Sequence, residues 1–349
     1  MRIAVDGSGH SEENPRLRIA LAGAGKWGRN YIRVLESIRN VRLTSVIDPD
    51  ESAVESALKL AGNVCSYRNF TSCVNQQNID AVIIAAPSDM HFDLCMKALN
   101  AGKHVLVEKP MTMNLESAVL MKDAATDRGL VLMVGHILQY NPAFINLRRI
   151  HESGEIGAVN YYYANRAGCA PVSESNQEST LWGLGPHDVS MILKLSRQMP
   201  CRVRAGRADA YGSDSQCAVW AVLDFPDGSS AHLHLSRLES EKKRRFVVVG
   251  TNCVAEIDDA RMPPSLKIFS LPARIGRDEV FPEKPENKIK PVEIPLESVE
   301  PLLAQCEHFI NCIKTGATPR SDADEGVNVV KVLDALQRSM DSDGQFINL

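Results

Sequence analysis

The chain has few aromatic residues, no excess of basic charge and no long apolar run. Only 5% of its 349 residues are Phe, Trp or Tyr, and its formal net charge is −4. A chain without a basic excess offers no electrostatic basis for binding nucleic acid. No apolar stretch is long enough to span a bilayer, and the first residues lack the pattern of a secretory signal. We therefore expect a soluble cytoplasmic protein that binds neither nucleic acid nor membranes.

Paired cysteine motifs are absent as well. The nine cysteines are scattered, none forms a Cys-x-x-Cys pair, and their number is odd. This usage fits a reducing compartment and gives no support for structural zinc. His232 and His234 alternate on one predicted strand, but a metal site would need further ligands, and an exposed or dimer-facing sheet surface is the favoured interpretation. We expect no bound metal.

A glycine-rich turn follows the apolar run at residues 17–22. Its Gly23, Gly25 and Gly28 predict, in that order, a tight turn, close approach of the backbone to a pyrophosphate, and close packing of helix on strand. A second predicted strand ends in Asp48, where a carboxylate can accept hydrogen bonds from ribose hydroxyls. That charge would repel the extra phosphate of NADP and so favours NAD. The alternative is that residues 48–50 only cap the next helix.

Strand and helix patterns alternate from residue 17 to about residue 136 and then change character. The first part predicts a doubly wound parallel sheet. The second part has successive strand patterns, which predict a mostly antiparallel sheet with one interrupting helix over residues 186–195. We expect the following division of the chain: a tail at 1–16 with a brief strand near 3–5, a dinucleotide-binding domain at 17–136, a domain for substrate binding and oligomerisation at 137–320, and a C-terminal helix at 321–349 packing back near the first domain.

Two residues are candidates for acid–base chemistry. Lys109 lies just beyond the carboxyl end of a predicted strand, where open α/β sheets bind ligands, and Pro110 is a candidate cis proline that would fix its direction. A partly desolvated lysine can exchange a proton with a substrate hydroxyl. His187 opens the predicted helix and can act near neutral pH. The alternatives are a solvated lysine in a turn and a structural capping histidine.

The residues resemble the Gfo/Idh/MocA oxidoreductase family over roughly residues 17–340. The resemblance rests on the glycine turn, on residues 86–91 (APSDMH), on the specific string GKHVLVEKP ending at Pro110, and on residues 140–143 (YNPA) and 154–157 (GEIG). It implies a Rossmann domain followed by an α/β domain built on a large open sheet, and assembly as a dimer or tetramer through that sheet. It also implies hydride transfer between NAD(P) and a hydroxyl of a sugar, cyclitol or related compound.

The resemblance also assigns the site. Lys109 and His187 are the implied acid and base. The residues expected to bind the cofactor are Gly23, Gly25, Lys26, Trp27, Gly28, Asp48, Pro87, His91, Glu108 and Lys109. Those expected to bind the substrate are His136, Tyr140, Asn141, Arg166 and His187.

The stretch around His187 looks most like members that oxidise nucleotide-linked sugars of the UDP-N-acetylglucosamine or uronate type at C3. The chain nevertheless departs from the family pattern. Gly183 stands where the family usually has an aspartate, Ser190 where many members have an acid, and Gln139 where an arginine is common. The adjacent Asp188 would point elsewhere on a helix and is not counted as a replacement. The loss of the aspartate motivates an alternative, a non-catalytic sensor of dinucleotide or sugar. Reduction of a non-sugar such as a tetrapyrrole is compatible with the fold but has no positive support.

Overall fold

The computed structural model describes residues 16–169, 178–209, 216–271 and 290–349. The expected N-terminal tail up to residue 15, with its brief strand, lies outside these ranges. Residues 271–300 are rich in Pro, Glu and Lys, and most of that stretch, residues 272–289, lies outside them as well. Within the described ranges no helix combines the length and apolar character needed to cross a membrane.

A parallel sheet forms the first half of the fold. Its strands within the described residues are β1 Leu17–Ala22, β2 Val41–Ile47, β3 Cys65–Tyr67, β4 Ala81–Ile84, β5 His104–Val107 and β6 Leu132–Val134. Its helices are α1 Lys26–Ser37, α2 Glu51–Leu58, α3 Phe70–Val74, α4 His91–Asn100 and α5 Leu115–Thr126. The spatial order is β3-β2-β1-β4-β5-β6. The direction of winding therefore reverses between β1 and β4, and ligands of such sheets bind in the crevice at the carboxyl ends of these strands.

A larger sheet forms the second half. Its strands within the described residues are β7 Val159–Ala167, β8 Arg202–Asp209, β9 Gln216–Asp224, β10 Ser230–Ser236, β11 Lys243–Gly250, β12 Cys253–Asp258, β13 Ser265–Ser270, β14 Val292–Glu293 and β15 Ile347–Asn348. The remaining helices are α6 Pro142–Glu152, α7 Thr180–Ser196, α8 Pro301–Thr315 and α9 Ala323–Met340. β10 runs parallel to β7, and the other neighbouring pairs described are antiparallel. The predicted fold class is confirmed.

Helix α7 begins earlier than the sequence predicts. We expected Pro186 at its first position, but the helix starts at Thr180 and Pro186 lies inside it, so that prediction was wrong. The Ser179 side chain caps the N-terminus, and Leu181 and Trp182 are buried. Burial of the apolar side chains in the first turn stabilises the longer helix by more than the loss of one backbone hydrogen bond at Pro186 destabilises it.

The two C-terminal helices join the two sheets. Helix α8 lies in the stretch expected to belong to the second domain, yet its Leu302, Cys306 and Phe309 pack in a cluster with α1 and the first sheet. Helix α9 packs on α5 of the first half and on α7 and β8 of the second. This arrangement holds the carboxyl ends of the first sheet against α7.

Candidate active site

The glycine turn has the shape that a dinucleotide requires. Gly23 has φ +98°, and a side chain on it would overlap the backbone of Ala85. A side chain on Gly28 would overlap the Gly23 carbonyl. Each of the two residues therefore has to be glycine for the turn to close against β4 and α1.

The start of α1 is open toward the position expected for phosphates. Gly25 is the N-cap residue, no side chain of the described residues caps the helix, and its first turn has no acidic residue. Apart from its neighbours along the chain, no atom of the described residues lies within 4 Å of the place where a Gly25 Cβ would be. Free N–H groups and the positive end of the helix dipole are suited to a pyrophosphate at this point. Lys26 and Trp27 follow as exposed residues of the same turn.

Asp48 lies at the end of β2 beside this turn. Its carboxylate accepts hydrogen bonds from the backbone N–H groups of Ala24 (2.7 Å) and Asp50 (2.9 Å). The cap of α2 is Asp50, which accepts from Ser52 N (2.9 Å). Asp48 is therefore fixed over the glycine turn and is not the helix cap, so it fits the role of ribose acceptor.

Glu108 is buried beneath the turn. Its carboxylate accepts hydrogen bonds from Trp27 Nε1, from the Tyr31 hydroxyl (2.7 Å) and from Lys109 N (3.1 Å). Burial, with the neighbouring Glu108 charge as a second cause, holds the pKa of Tyr31 well above its usual value. The Tyr31 hydroxyl also accepts from Gln305 Nε2 of α8 (3.0 Å). Glu108 thus ties the glycine turn to the strand end that carries Lys109.

His91 supports the turn at Lys109. It is buried, and its ring nitrogens contact the carbonyl oxygens of Pro110 (2.8 Å) and Ala86 (3.0 Å). The Lys109–Pro110 bond is cis, as the sequence suggested. Burial outweighs the two carbonyl contacts and lowers the pKa of His91. The structure therefore gives His91 a positioning role, while Pro87 is exposed at the end of β4 near the glycine turn.

Lys109 reaches across from β5 to α7. Its Nζ donates to the carbonyl oxygen of Gly183 (3.1 Å) and forms an ion pair with Glu178 Oε2 (3.5 Å). The Lys109 side chain is 19% exposed. The candidate acid–base group of the first half is therefore in contact with the helix that carries His187.

His187 is partly exposed, but its Nδ1 is buried and has no hydrogen-bond partner among the described residues. Burial lowers the pKa of His187 well below its usual value, and the positive charges of Arg166 and Lys109 lower it further. The ring is therefore neutral at pH 7, and a nitrogen of the neutral ring can accept a hydrogen bond. Lys109 and His187 are therefore close enough to influence each other electrostatically, as a shared site requires.

His136, one of the residues expected to bind substrate, is held by a carboxylate of α9. Its Nδ1 contacts Glu325 Oε2 (2.6 Å), and its buried Nε2 has no partner within the described part of the chain. Gln139 Nε2 donates to the other oxygen of Glu325 (2.6 Å). The carboxylate fixes the orientation of the ring and leaves Nε2 for another group.

Three other expected substrate residues are occupied by structural contacts. The Tyr140 ring is 1% exposed, and its hydroxyl contacts the Met133 sulfur (3.8 Å). Asn141 caps α6 and donates to Asp259 (2.8 Å). Arg166 forms a buried bidentate ion pair with Asp188 (2.8 Å for both contacts). The structure thus gives Tyr140 and Asn141 packing and capping contacts, and the charge of Arg166 lowers the pKa of His187.

Three charged residues of this region were not predicted from the sequence, namely Glu178, Arg237 and Glu325. A Cβ on Gly183 would lie 2.5 Å from Arg237 Nη2 and 3.4 Å from Glu178 Oε2. No local pattern marks Arg237 or Glu325, because both reach the site from distant elements. Glu178 had one usable signal, its position just before a Ser that can cap a helix. Among the described residues no cluster of His, Cys, Asp or Glu is arranged to hold a metal ion.

Comparison with known proteins agrees with this geometry. Residues 17–136 match the oxidoreductase family with an NAD-binding Rossmann fold, and residues 144–256 match the Gfo/Idh/MocA C-terminal domain. The UDP-N-acetylglucosamine 3-dehydrogenase of Acidithiobacillus ferrooxidans is 31% identical over 69% of this chain and 74% of its own length. The chain belongs to the Gfo/Idh/MocA oxidoreductase family. The predicted family, the NAD-binding Rossmann domain and the dehydrogenase class are confirmed.

Two further similarities extend over almost the whole chain. The scyllo-inositol 2-dehydrogenase (NAD(+)) of Bacillus subtilis is 24% identical over 90% of this chain and 91% of its own. A solved structure of the A. ferrooxidans UDP-N-acetylglucosamine 3-dehydrogenase superimposes with a TM-score of 0.80 and 26% identity, covering 94% of this chain and 98% of that one. These relatives are named as enzymes, so the comparisons do not favour the alternative of a non-catalytic sensor.

Proposed function

We propose that this protein oxidises a secondary hydroxyl of a sugar or nucleotide-linked sugar with NAD⁺. The observation that carries the proposal is the position of Lys109, at the carboxyl end of β5, between the open glycine turn and the helix of His187. Bound NAD⁺ would supply the hydride acceptor. The groups of the chain then have to bind the sugar, orient its hydroxyl and remove its proton.

Lys109 and His187 are the proposed acid–base groups. Removal of the hydroxyl proton makes the alkoxide a better hydride donor. Lys109 takes the hydroxyl proton in the oxidative direction, and the low pKa of His187 keeps its ring neutral, so that the ring can accept a hydrogen bond from the same hydroxyl. In the reverse direction a protonated Lys109 would return the proton to the carbonyl oxygen of the product.

NAD is the proposed cofactor in preference to NADP. The negative charge of Asp48 beside the glycine turn supports this choice, because a second phosphate on the ribose would face that charge. The open helix N-terminus at Gly25 supports binding of the pyrophosphate.

The proposed substrate is a nucleotide-linked sugar, with free cyclitols as the second class. The similarity to the A. ferrooxidans enzyme supports the first class, and the similarity to the B. subtilis enzyme supports the second. The positive charge of Arg237 near Gly183 would suit an anionic group on the substrate. His136 and His187 offer buried ring nitrogens to the sugar hydroxyls.

We also propose a homodimer or homotetramer in the cytoplasm. Trp220 of β9 and Tyr161 of β7 are 46% and 41% exposed on the large sheet, which supports association through that sheet. No disulfide joins any of the nine cysteines, all of which lie in the described ranges, and this is compatible with a reducing compartment.

Lys109→Met tests the proposed activity. The measurement is NADH absorbance with NAD⁺ and a panel of UDP-sugars and free cyclitols. We expect the variant to lose turnover by about 10²-fold or more, the usual contribution of a positioned acid–base group. NAD binding, followed by titration, should be retained. Lys97→Met removes an exposed lysine of α4 and is the matched control. Undiminished turnover of Lys109→Met would exclude the role of Lys109, and silence of the unmodified protein on the whole panel would argue against the activity.

A further inference from the structure

The place of the missing aspartate in α7 is filled by other side chains. Gly183 has a helical backbone, so its lack of a side chain is not required by its own conformation. Its absent side chain leaves room for two charged groups. Arg237 Nη2 lies 2.5 Å, and Glu178 Oε2 lies 3.4 Å, from the ideal Cβ position of residue 183. A carboxylate is therefore present at this point of the site, although residue 183 does not provide it.

The cap of α7 explains why Glu178 reaches this position. Ser179 is the N-cap, so Glu178 is the residue immediately before the cap and Gly183 is the fourth residue of the helix. Side chains at these two positions meet across the first turn of a helix, as in the hydrophobic staple. In this chain the outer position has a carboxylate and the inner position has only hydrogen, which leaves space for the carboxylate.

The contact of Glu178 with Lys109 suggests what the carboxylate does. Lys109 Nζ lies between Glu178 Oε2 (3.5 Å) and the Gly183 carbonyl oxygen (3.1 Å). The Glu178 side chain is 27% exposed, so the pair is mostly screened from water. A carboxylate there fixes the amine in one place and stabilises the ammonium that forms when Lys109 takes a proton from a hydroxyl.

We propose that Glu178 is a positioning residue that replaces the aspartate missing at Gly183 and acts through Lys109. The inference rests on the proposed dehydrogenase function and deepens it. It accounts for a catalytic site with glycine at position 183: the carboxylate has moved to the residue before the helix cap, and Arg237 occupies the remaining space.

The test compares Glu178→Gln, Glu178→Asp and the double variant Glu178→Gln with Gly183→Asp. Glu178→Gln should lower kcat by about tenfold or more, while KM and the dissociation constant of NAD change by less than about threefold, because the group acts on the proton transfer and not on binding. Glu178→Asp should retain part of kcat. The double variant should recover most of the lost kcat, since an aspartate in α7 returns a carboxylate to Lys109 and the end of the Arg237 side chain is free to move aside.

A second readout does not need turnover. An amine-selective acylating reagent should label Lys109 faster in Glu178→Gln than in the unmodified protein, as read by peptide mass spectrometry, because the variant lacks the ion pair that holds the amine in place. Glu152→Gln, which removes a carboxylate paired with Arg197 at the end of α6, is the matched control for both measurements.

The possible outcomes distinguish a failure of the role given to Glu178 from a failure of the proposed dehydrogenase function. A kcat of Glu178→Gln equal to that of an active unmodified protein overturns this inference and leaves the proposed function intact. A loss of kcat that neither Glu178→Asp nor the double variant restores also overturns it. An unmodified protein that forms no NADH with any member of the panel removes the proposed function, and the inference with it.

Discussion

At the scale of single residues, Asp48 bears on the choice of cofactor. The carboxylate is held by two backbone N–H groups, so its charge has a fixed position beside the glycine turn. A like charge about 4 Å away costs roughly 4 kcal/mol near a protein surface, enough to decide between two cofactors that differ by a phosphate. The neighbouring Asp50 has a different task as the cap of α2.

Asp48→Asn tests this discrimination. Asparagine retains an oxygen that can accept from Ala24 N but removes the charge, so the ratio of kcat/KM for NAD to that for NADP should fall by about tenfold or more. Asp50→Asn is the control, since asparagine caps a helix as well as aspartate does. A ratio that is unchanged in Asp48→Asn would show that another group selects the cofactor.

The sequence predicts the positions of some residues of the candidate site and not those of others. The positions of Lys109 and Asp48 were predictable because each follows an apolar run, and parallel strands bring their carboxyl ends to one edge of the sheet. Their roles remain predictions. The positions of Arg237 and Glu325 were not predictable, because each residue reaches the site through packing between segments that are distant in the sequence. Tyr140 and Asn141 were assigned to substrate, yet the structure uses them in packing and capping.

At the scale of elements, the turn between β1 and α1 contains glycines with two different roles, one in packing and one in cofactor binding. Gly28 is required for packing, because a side chain there would overlap the Gly23 carbonyl. No described residue constrains a side chain at Gly25, and the open space beside it is where the pyrophosphate is expected.

Gly28→Ala and Gly25→Ala should therefore behave differently. Gly28→Ala should lower the free energy of unfolding by roughly 1–3 kcal/mol, the usual cost of overpacking. Gly25→Ala should lower it by less, about 0.5–1 kcal/mol, because alanine is a poorer N-cap than glycine but meets no clash at this position. It should still weaken NAD binding, because its methyl group occupies the approach of the pyrophosphate. Urea unfolding and NAD titration of both variants give the comparison. Normal NAD affinity in Gly25→Ala would place the pyrophosphate elsewhere.

The start of helix α7 shows that a local sequence pattern can predict the wrong boundary for a helix. The favoured position of proline in a helix predicted a start at Pro186. The structure instead begins the helix at Thr180 because the first turn is buried between the two halves of the fold. That earlier start places Glu178 and Gly183 across one turn from each other, so the error in the helix boundary also concealed the carboxylate near Lys109.

At the scale of the whole molecule, the two sheets share one apolar core. A single cluster of buried side chains includes Val107 and Val134 of the first sheet, Phe246 and Leu235 of the second, and Leu333 of α9. The order of the elements and the two sheet types were predictable from alternating patterns. It was harder to predict that α8 and α9 join the two halves, because the pattern of an amphipathic helix shows only that one face is buried and not which surface covers it.

The shared core leads to a prediction for the pH dependence of stability. Burial is the main cause that lowers the pKa of four histidines in the folded protein, namely His91, His104, His187 and His308. In the unfolded chain their pKa is about 6.5. Below that pH the unfolded chain binds more protons than the folded protein, so the free energy of unfolding must fall as the pH falls toward the lower, folded-state values.

We expect one cooperative urea transition whose midpoint decreases from pH 7.5 to pH 5.5 at a fixed protein concentration. The slope should approach about 1.4 kcal/mol per pH unit for each excess proton bound by the unfolded chain. The window ends near pH 5.5 because burial raises the pKa of Asp259 and Asp322, and these carboxyl groups act in the opposite direction at lower pH. His104→Asn should reduce the slope, since asparagine can still accept from Val131 N, as His104 Nδ1 does (3.0 Å), but does not titrate. A midpoint that is constant across the window, or an unchanged slope in His104→Asn, would contradict the assignment of this pH dependence to buried neutral histidines.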